Sequence, residues 1–213
     1  LSSLTPPFCK VWIAPISLFM LQMAENISAT ARSLDGKEAE AFLNEIISAE
    51  RIYVAGAGRS GFVAKAFAMR LMHLGFDVYV VGEIVTPAFS NRDTLVAFSG
   101  SGETNSIVDI CEIVKGLGGK VCLVTASPTS RMEKIADRVV NVGDLTGYFQ
   151  KDKTPFELRQ ITGQYRSVTS AFAPLGTLFE TLALVFSDAV ISAIIETQKA
   201  DIDEMKLRLA NVQ

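Results

Sequence analysis

Two short stretches carry the residue types from which an anion site is built. Residues 99–104 read Ser-Gly-Ser-Gly-Glu-Thr and follow directly on the apolar run Thr94-Leu-Val-Ala-Phe98. Gly100 and Gly102 let an anion approach the backbone amides, and the hydroxyls of Ser99, Ser101 and Thr104 can close around a phosphate. Glu103, at the expected helix start, either caps that helix or touches the ligand. The second stretch, Gly-Ala-Gly-Arg-Ser-Gly at 56–61, offers Gly58, Arg59 and Ser60 to the polar body of the same ligand. One such loop alone is equally well explained by Ser, Thr and Gly capping a helix. Two at neighbouring strand ends favour a small phosphorylated molecule. A rival stays open, because residues 56–61 also fit GxGxxG and Glu83 follows roughly 20 residues on, where a dinucleotide's ribose would need a carboxylate. A dinucleotide site does not, however, require a second hydroxyl-rich loop.

The elements that must hold these loops are legible in the pattern. Residues 51–56, 77–81, 93–98, 120–125 and 137–142 read as five β-rich strands. Helical spacing falls between them, with a helix from the first loop to about Leu74 stopped by Gly75, one over 106–117 closed by Gly118-Gly119, and a short one at 130–136. Strands that are apolar throughout, alternating with helices, predict an α/β fold with a parallel sheet covered on both faces, a three-layer αβα sandwich. In such sheets ligands sit at the carboxyl ends of the strands. Ahead of the first strand, residues 24–49 read as two helical pieces broken near Asp35-Gly36. After the fifth, residues 143 to about 172 read as a long polar loop containing Arg159, Tyr165 and Arg166, and Pro174 opens a helix toward Lys199 whose apolar residues cover more than one stripe.

Composition narrows the function. The chain has 213 residues, enough for one domain with a full core. With 20 Lys plus Arg against 23 Asp plus Glu, and no basic cluster, nucleic acid is not the expected partner. Cys9, Cys111 and Cys122 form no CxxC pair and read as core thiols of a cytoplasmic protein. The single histidine, His73, argues against a His-rich metal site. An apolar run over 11–21 is too short to span a bilayer and contains Pro15, and only Lys10 precedes it, which argues against a secretory leader. The first residue is Leu, and Met20 or Met23 is the expected natural start, so residues 1–22 read as an extension and 23–213 as a single domain.

The stretches AGAGRSGFVAKAFAMRLMHLGF, VGEIVTP, SGSGET and PLGTLFE resemble, in order and spacing, the sugar isomerase (SIS) domain and, within it, the 6-phospho-3-hexuloisomerases. The resemblance covers about residues 24–199. It implies a flavodoxin-like five-stranded sheet, a homotetramer with sites near subunit interfaces, and neither metal nor organic cofactor. The implied reaction, part of the ribulose monophosphate pathway of formaldehyde fixation, interconverts D-arabino-3-hexulose 6-phosphate and fructose 6-phosphate through a cis-enediol. The resemblance also places a carboxylate base at Glu180, and its neighbours Leu178, Phe179, Leu182 and Leu184 would raise its pKa by desolvation. Without the resemblance, an outward-facing helical Glu is the commoner outcome. His73 is either a packed residue or a proton carrier for ring opening, in its own or a neighbouring subunit's site. Chains of this family tend to end in a histidine-bearing segment, whereas this one ends Met205-Lys-Leu-Arg-Leu-Ala-Asn-Val-Gln213; if that histidine assists proton transfer, either His73 or Arg208 serves here or the activity is weaker.

Three rivals follow from the same residues. A non-catalytic sugar-phosphate sensor would use the same cradle, but the stretch before Arg51 holds no basic recognition helix. A nucleotide-dependent oxidoreductase would show tight NAD(P) binding. Another SIS isomerase, acting on arabinose 5-phosphate or a heptulose phosphate, is the nearest alternative among enzymes.

Overall fold

The apolar runs form five parallel strands in the computed structural model, which describes residues 8–127, 129–143, 177–199 and 202–209. They are β1 (Ile52–Gly56), β2 (Val78–Val80), β3 (Thr94–Phe98), β4 (Lys120–Thr125) and β5 (Arg138–Asn141), in the order β2-β1-β3-β4-β5. The central strand β3 is buried along its whole length, while the edge strand β2 is only half-buried, as expected where helices cover both faces of the middle of a sheet.

Period-two alternation sends the side chains to two cores. Val54, Val96, Phe98, Cys122, Val124 and Val140 face one way, and Tyr53, Ala55, Leu95, Ala97, Val121 and Leu123 face the other. The first core is closed by α2 (Gly36–Ser48), α3 (Arg59–His73) and α6 (Thr177–Gln198), and the second by α4 (Asn105–Gly116) and the short α5 (Arg131–Ile135). The layers are therefore helix, sheet, helix. The chain also has α1 (Phe8–Ser33) at its start and α7 (Ile202–Leu207) near its end.

Local signals set the helix limits. The break expected near Asp35-Gly36 is the N-cap of α2, where Asp35 Oδ1 accepts from the amides of Lys37 at 2.8 Å and Glu38 at 3.3 Å. Gly75, at φ +94°, ends the turn after α3. The first helical piece starts earlier than residue 24, because α1 runs from Phe8 through Pro15. A proline forfeits one backbone hydrogen bond and bends a helix without always ending it. The long loop expected after residue 143, Arg159, Tyr165, Arg166 and the helix start at Pro174 lie outside the described residues.

The helix α6 is long and apolar enough to cross a membrane by length and composition. Its inner positions Leu178, Phe179, Leu182, Ala183, Val190, Ile191 and Ile194 instead fill the first core. Leu184 and Val185, outside that inner stripe, are exposed.

Candidate active site

The two glycine-bearing loops meet because of strand order. From β1 the chain crosses through α3 to β2 on one side, and from β3 through α4 to β4 on the other, so the order reverses between β1 and β3. Gly56, the last residue of β1, lies in register with Phe98, the last of β3. Residues 57–61 and 99–104 therefore leave the sheet side by side at its topological switch point, where open α/β sheets bind ligands. Gly58 caps α3 at φ +57°, Arg59 is exposed, and Ser60 is buried in the first turn.

The second loop is a built structure. Ser99 is buried and its Oγ accepts from the Gly102 amide at 3.1 Å, while Ser101 Oγ accepts from the Glu103 amide at 3.3 Å. Gly102 has φ +64° and lies so close to Ser130 that a Cβ would overlap that side chain, so only glycine fits there. Thr104 is the N-cap of α4, yet its hydroxyl makes no capping bond back to the helix. The loop is also braced from β4. The Ala126 amide and the Thr125 hydroxyl both donate to the Gly100 carbonyl, at 3.1 and 3.4 Å.

Sequence reasoning missed this third segment. Thr125, Ser127 and Ser130 are buried hydroxyl residues at the carboxyl end of β4. The stretch Thr-Ala-Ser-Pro-Thr-Ser over 125–130 carried the same signal as 99–104, hydroxyls directly after an apolar strand. The Arg131 amide donates to Glu103 Oε1 and Arg131 Nε to its Oε2, each at 2.8 Å, so this carboxylate ties the loop to α5.

Opposite the loop, Glu180 stands in the first turn of α6, its side chain only 13% exposed, and accepts from Arg59 Nε at 3.3 Å. Burial raises its pKa above the ordinary carboxylate value; Arg59 pulls the other way without cancelling the desolvation. The arrangement joins a protected carboxylate of raised basicity, a guanidinium half in solvent and a loop suited to a phosphate. Glu83, the residue a dinucleotide would need, is engaged by Lys65 Nζ at 2.6 Å. Among the described residues, no group of three His, Cys, Asp or Glu is placed to hold a metal.

His73 does not join this site within one chain. It ends α3 while Arg59 begins it, which separates them by about 21 Å at 1.5 Å per residue. Its ring is buried, and among the described residues Nδ1 has no hydrogen-bond partner. Arg208 lies at the same far end, its guanidinium carbon 3.2 Å from where a Cβ on Gly75 would be.

A doubly wound sheet with a hydroxyl-rich loop at its switch point defines the class, and comparison with known proteins supplies the family. The SIS domain matches residues 45–143. An uncharacterized protein of Archaeoglobus fulgidus is 44% identical over 176 residues, covering 83% of this chain and 88% of that one. The 3-hexulose-6-phosphate isomerase of Bacillus subtilis is 35% identical over 195 residues, covering 92% and 97%. A Methanococcus jannaschii protein, whose crystal structure infers a molecular function of 3-hexulose-6-phosphate isomerase, superposes with a TM-score of 0.71 at 29% identity, covering 90% and 97%. This chain belongs to the SIS-domain family, in the group that includes the 3-hexulose-6-phosphate isomerases.

Proposed function

We propose that this chain, an isomerase of the SIS family, interconverts D-arabino-3-hexulose 6-phosphate and fructose 6-phosphate. The phosphate rests on Ser101, Thr104 and the amides around Gly100 and Gly102, with Ser99 shaping the loop. Glu180 takes the C2 proton of the 3-hexulose, electrons move into a C2–C3 cis-enediolate, the O2 proton passes to O3, and the same carboxyl returns a proton to C3 as the carbonyl forms at C2. One base serves both steps because both carbons of a cis-enediolate present the same face. Arg59 steadies the carboxylate through Nε, and its exposed outer part reaches the sugar oxygens. The observation that carries this reading is the largely buried Glu180 carboxylate of raised basicity, held by Arg59 and next in the chain to Phe179, which packs on Gly100 of the hydroxyl-rich loop.

The 3-hexulose cannot close a five-membered ring from C3 while O6 is phosphorylated, so ring opening concerns only the direction starting from fructose 6-phosphate. The protein works as a homotetramer, a reading supported by exposed Phe62, Met69 and Met72 along α3 and by exposed Ile84 and Val85 after β2. Light scattering should give four times the 23.0 kDa chain mass. The direct test is proton NMR of fructose 6-phosphate in D2O with the purified protein. The reading requires deuterium at C3 and appearance of the 3-ketohexose phosphate. Binding without exchange would refute it and leave a sugar-phosphate sensor.

A further inference from the structure

Phe179 precedes Glu180 in the first turn of α6 and rests directly on Gly100 of the hydroxyl-rich loop. A Cβ on Gly100 would stand 2.9 Å from Phe179 Cδ1 and Cγ and 3.3 Å from its Cβ. All three nearest atoms belong to Phe179, and they include the stem of the side chain as well as the ring. Turning the ring therefore cannot clear the space.

Neither partner is free to retreat. The loop is held to β4 by the Ser99 amide on the Val124 carbonyl at 3.0 Å and by the Ala126 amide on the Gly100 carbonyl at 3.1 Å. On the helix side Phe179 is 2% exposed, and Leu178, Leu182 and Ala183 are buried in the same core. Two fixed bodies touching at a residue without a side chain define a distance. The loop would carry the substrate's phosphate, and the residue after Phe179 would carry the base.

We infer that the Gly100–Phe179 contact sets the spacing between the phosphate loop and Glu180, making both positioning residues for proton transfer. This rests on the reading of Glu180 as the base. A misplacement of about 1 Å costs roughly 100-fold where reacting atoms must be held near attack distance. A methyl at position 100 demands a shift of about 0.5–1 Å to restore ordinary van der Waals separation. The new methyl meets Phe179 of α6.

The test compares Gly100→Ala, Phe179→Ala and the double variant as a double-mutant cycle, with Phe179→Leu as a milder variant should Gly100→Ala not fold. Three quantities are read: kcat and KM for fructose 6-phosphate, affinity for inorganic phosphate, and the 13C NMR titration of the Glu180 carboxyl, assigned with Glu180→Gln. Gly100→Ala should lower kcat roughly 10- to 100-fold, a larger factor than its change in KM or phosphate affinity. The Glu180 titration should move toward the ordinary carboxylate value as the displaced helix admits water. In the Phe179→Ala background the same added methyl should cost less than about 2-fold, since the atoms it meets are gone. Phe179→Leu should lower kcat and shift the titration in the same direction. Additive losses, or equal damage to kcat and KM with an unmoved titration, overturn the inference. If the wild-type protein turns over no hexulose phosphate, the functional reading fails, and the Glu180 titration across these variants still decides the spacing role.

Discussion

Replacing Glu180 by Gln removes a proton acceptor and little else. The amide keeps an oxygen that can accept from Arg59 Nε, now at 3.3 Å, and the groups assigned to the phosphate lie on another loop. A positioned general base contributes about 10²–10⁴ in rate. With the Glu180 side chain only 13% exposed, little water can stand in for it, so the loss should approach the upper end, about 10⁴ in kcat or ~5.4 kcal/mol. KM should stay within about 3-fold. The assay is deuterium wash-in at C3 of fructose 6-phosphate, which reads proton abstraction without depending on product release. The wild-type pH profile adds an independent check. Because burial raises the Glu180 pKa and Arg59 lowers it, the acid limb of kcat/KM should lie above the ordinary carboxylate range and move higher still in Arg59→Gln. A Glu180→Gln variant that keeps more than about a tenth of the wash-in rate refutes the assignment of the base. So does an acid limb that ignores Arg59→Gln.

Further outcomes follow from the same contacts. Folding raises the pKa of Glu180, so its contribution to stability is greatest below the unfolded-state value and declines as pH rises through the folded-state value; Glu180→Gln should therefore melt at or slightly above the wild-type temperature at pH 7 by calorimetry, and a clear fall would contradict the burial argument. Thr104→Val should weaken inorganic phosphate binding roughly 5- to 10-fold by titration calorimetry while leaving Tm unchanged, because the hydroxyl makes no helix-capping bond to lose. Glu103→Ala, at a pair that is about half exposed, should raise KM about 3-fold with kcat intact by loosening the loop from α5; a collapse of kcat would instead make Glu103 part of the chemistry. Asp93 is fully buried and accepts from Arg51 Nε at 3.0 Å, Arg51 Nη2 at 2.7 Å and the Ser90 amide at 2.6 Å. Burial pushes its carboxyl up, but these bonds hold it below the usual value, so its stabilisation is present above the unfolded-state pKa and lost as pH falls through the folded one. Asp93→Asn should lower Tm by roughly 5–10 °C at pH 7, with a smaller difference at acid pH.

The sheet was readable from the chain because a strand covered on both faces must be apolar along its length, and the runs at 52–56, 94–98 and 120–125 satisfy that without help from distant residues. Helix ends were readable for a related reason, since Asp35 as a cap and Gly75 at positive φ act through their own backbone neighbours. Hydroxyls and glycines at 99–104 marked the candidate cradle on the same local grounds.

Four features depended on partners far away in sequence. Strand order brought Gly56 beside Phe98 and so made one crevice of two loops. Glu103 is tied to α5 because Arg131 arrives 28 residues later with both a backbone and a side-chain donor. His73 stands apart from the two loops within one chain because the length of α3 separates it from Arg59. Glu180 carries no local mark that distinguishes it from any other helical glutamate. Only resemblance suggested it, and only the packing of Phe179 on Gly100 and the arrival of Arg59 from 121 residues away put it beside the loop in a dry setting. Periodicity and turn chemistry are properties of adjacent residues and are written along the chain. The desolvation and spacing of a base arise from which elements happen to pack around it, and those exist only once the chain has folded.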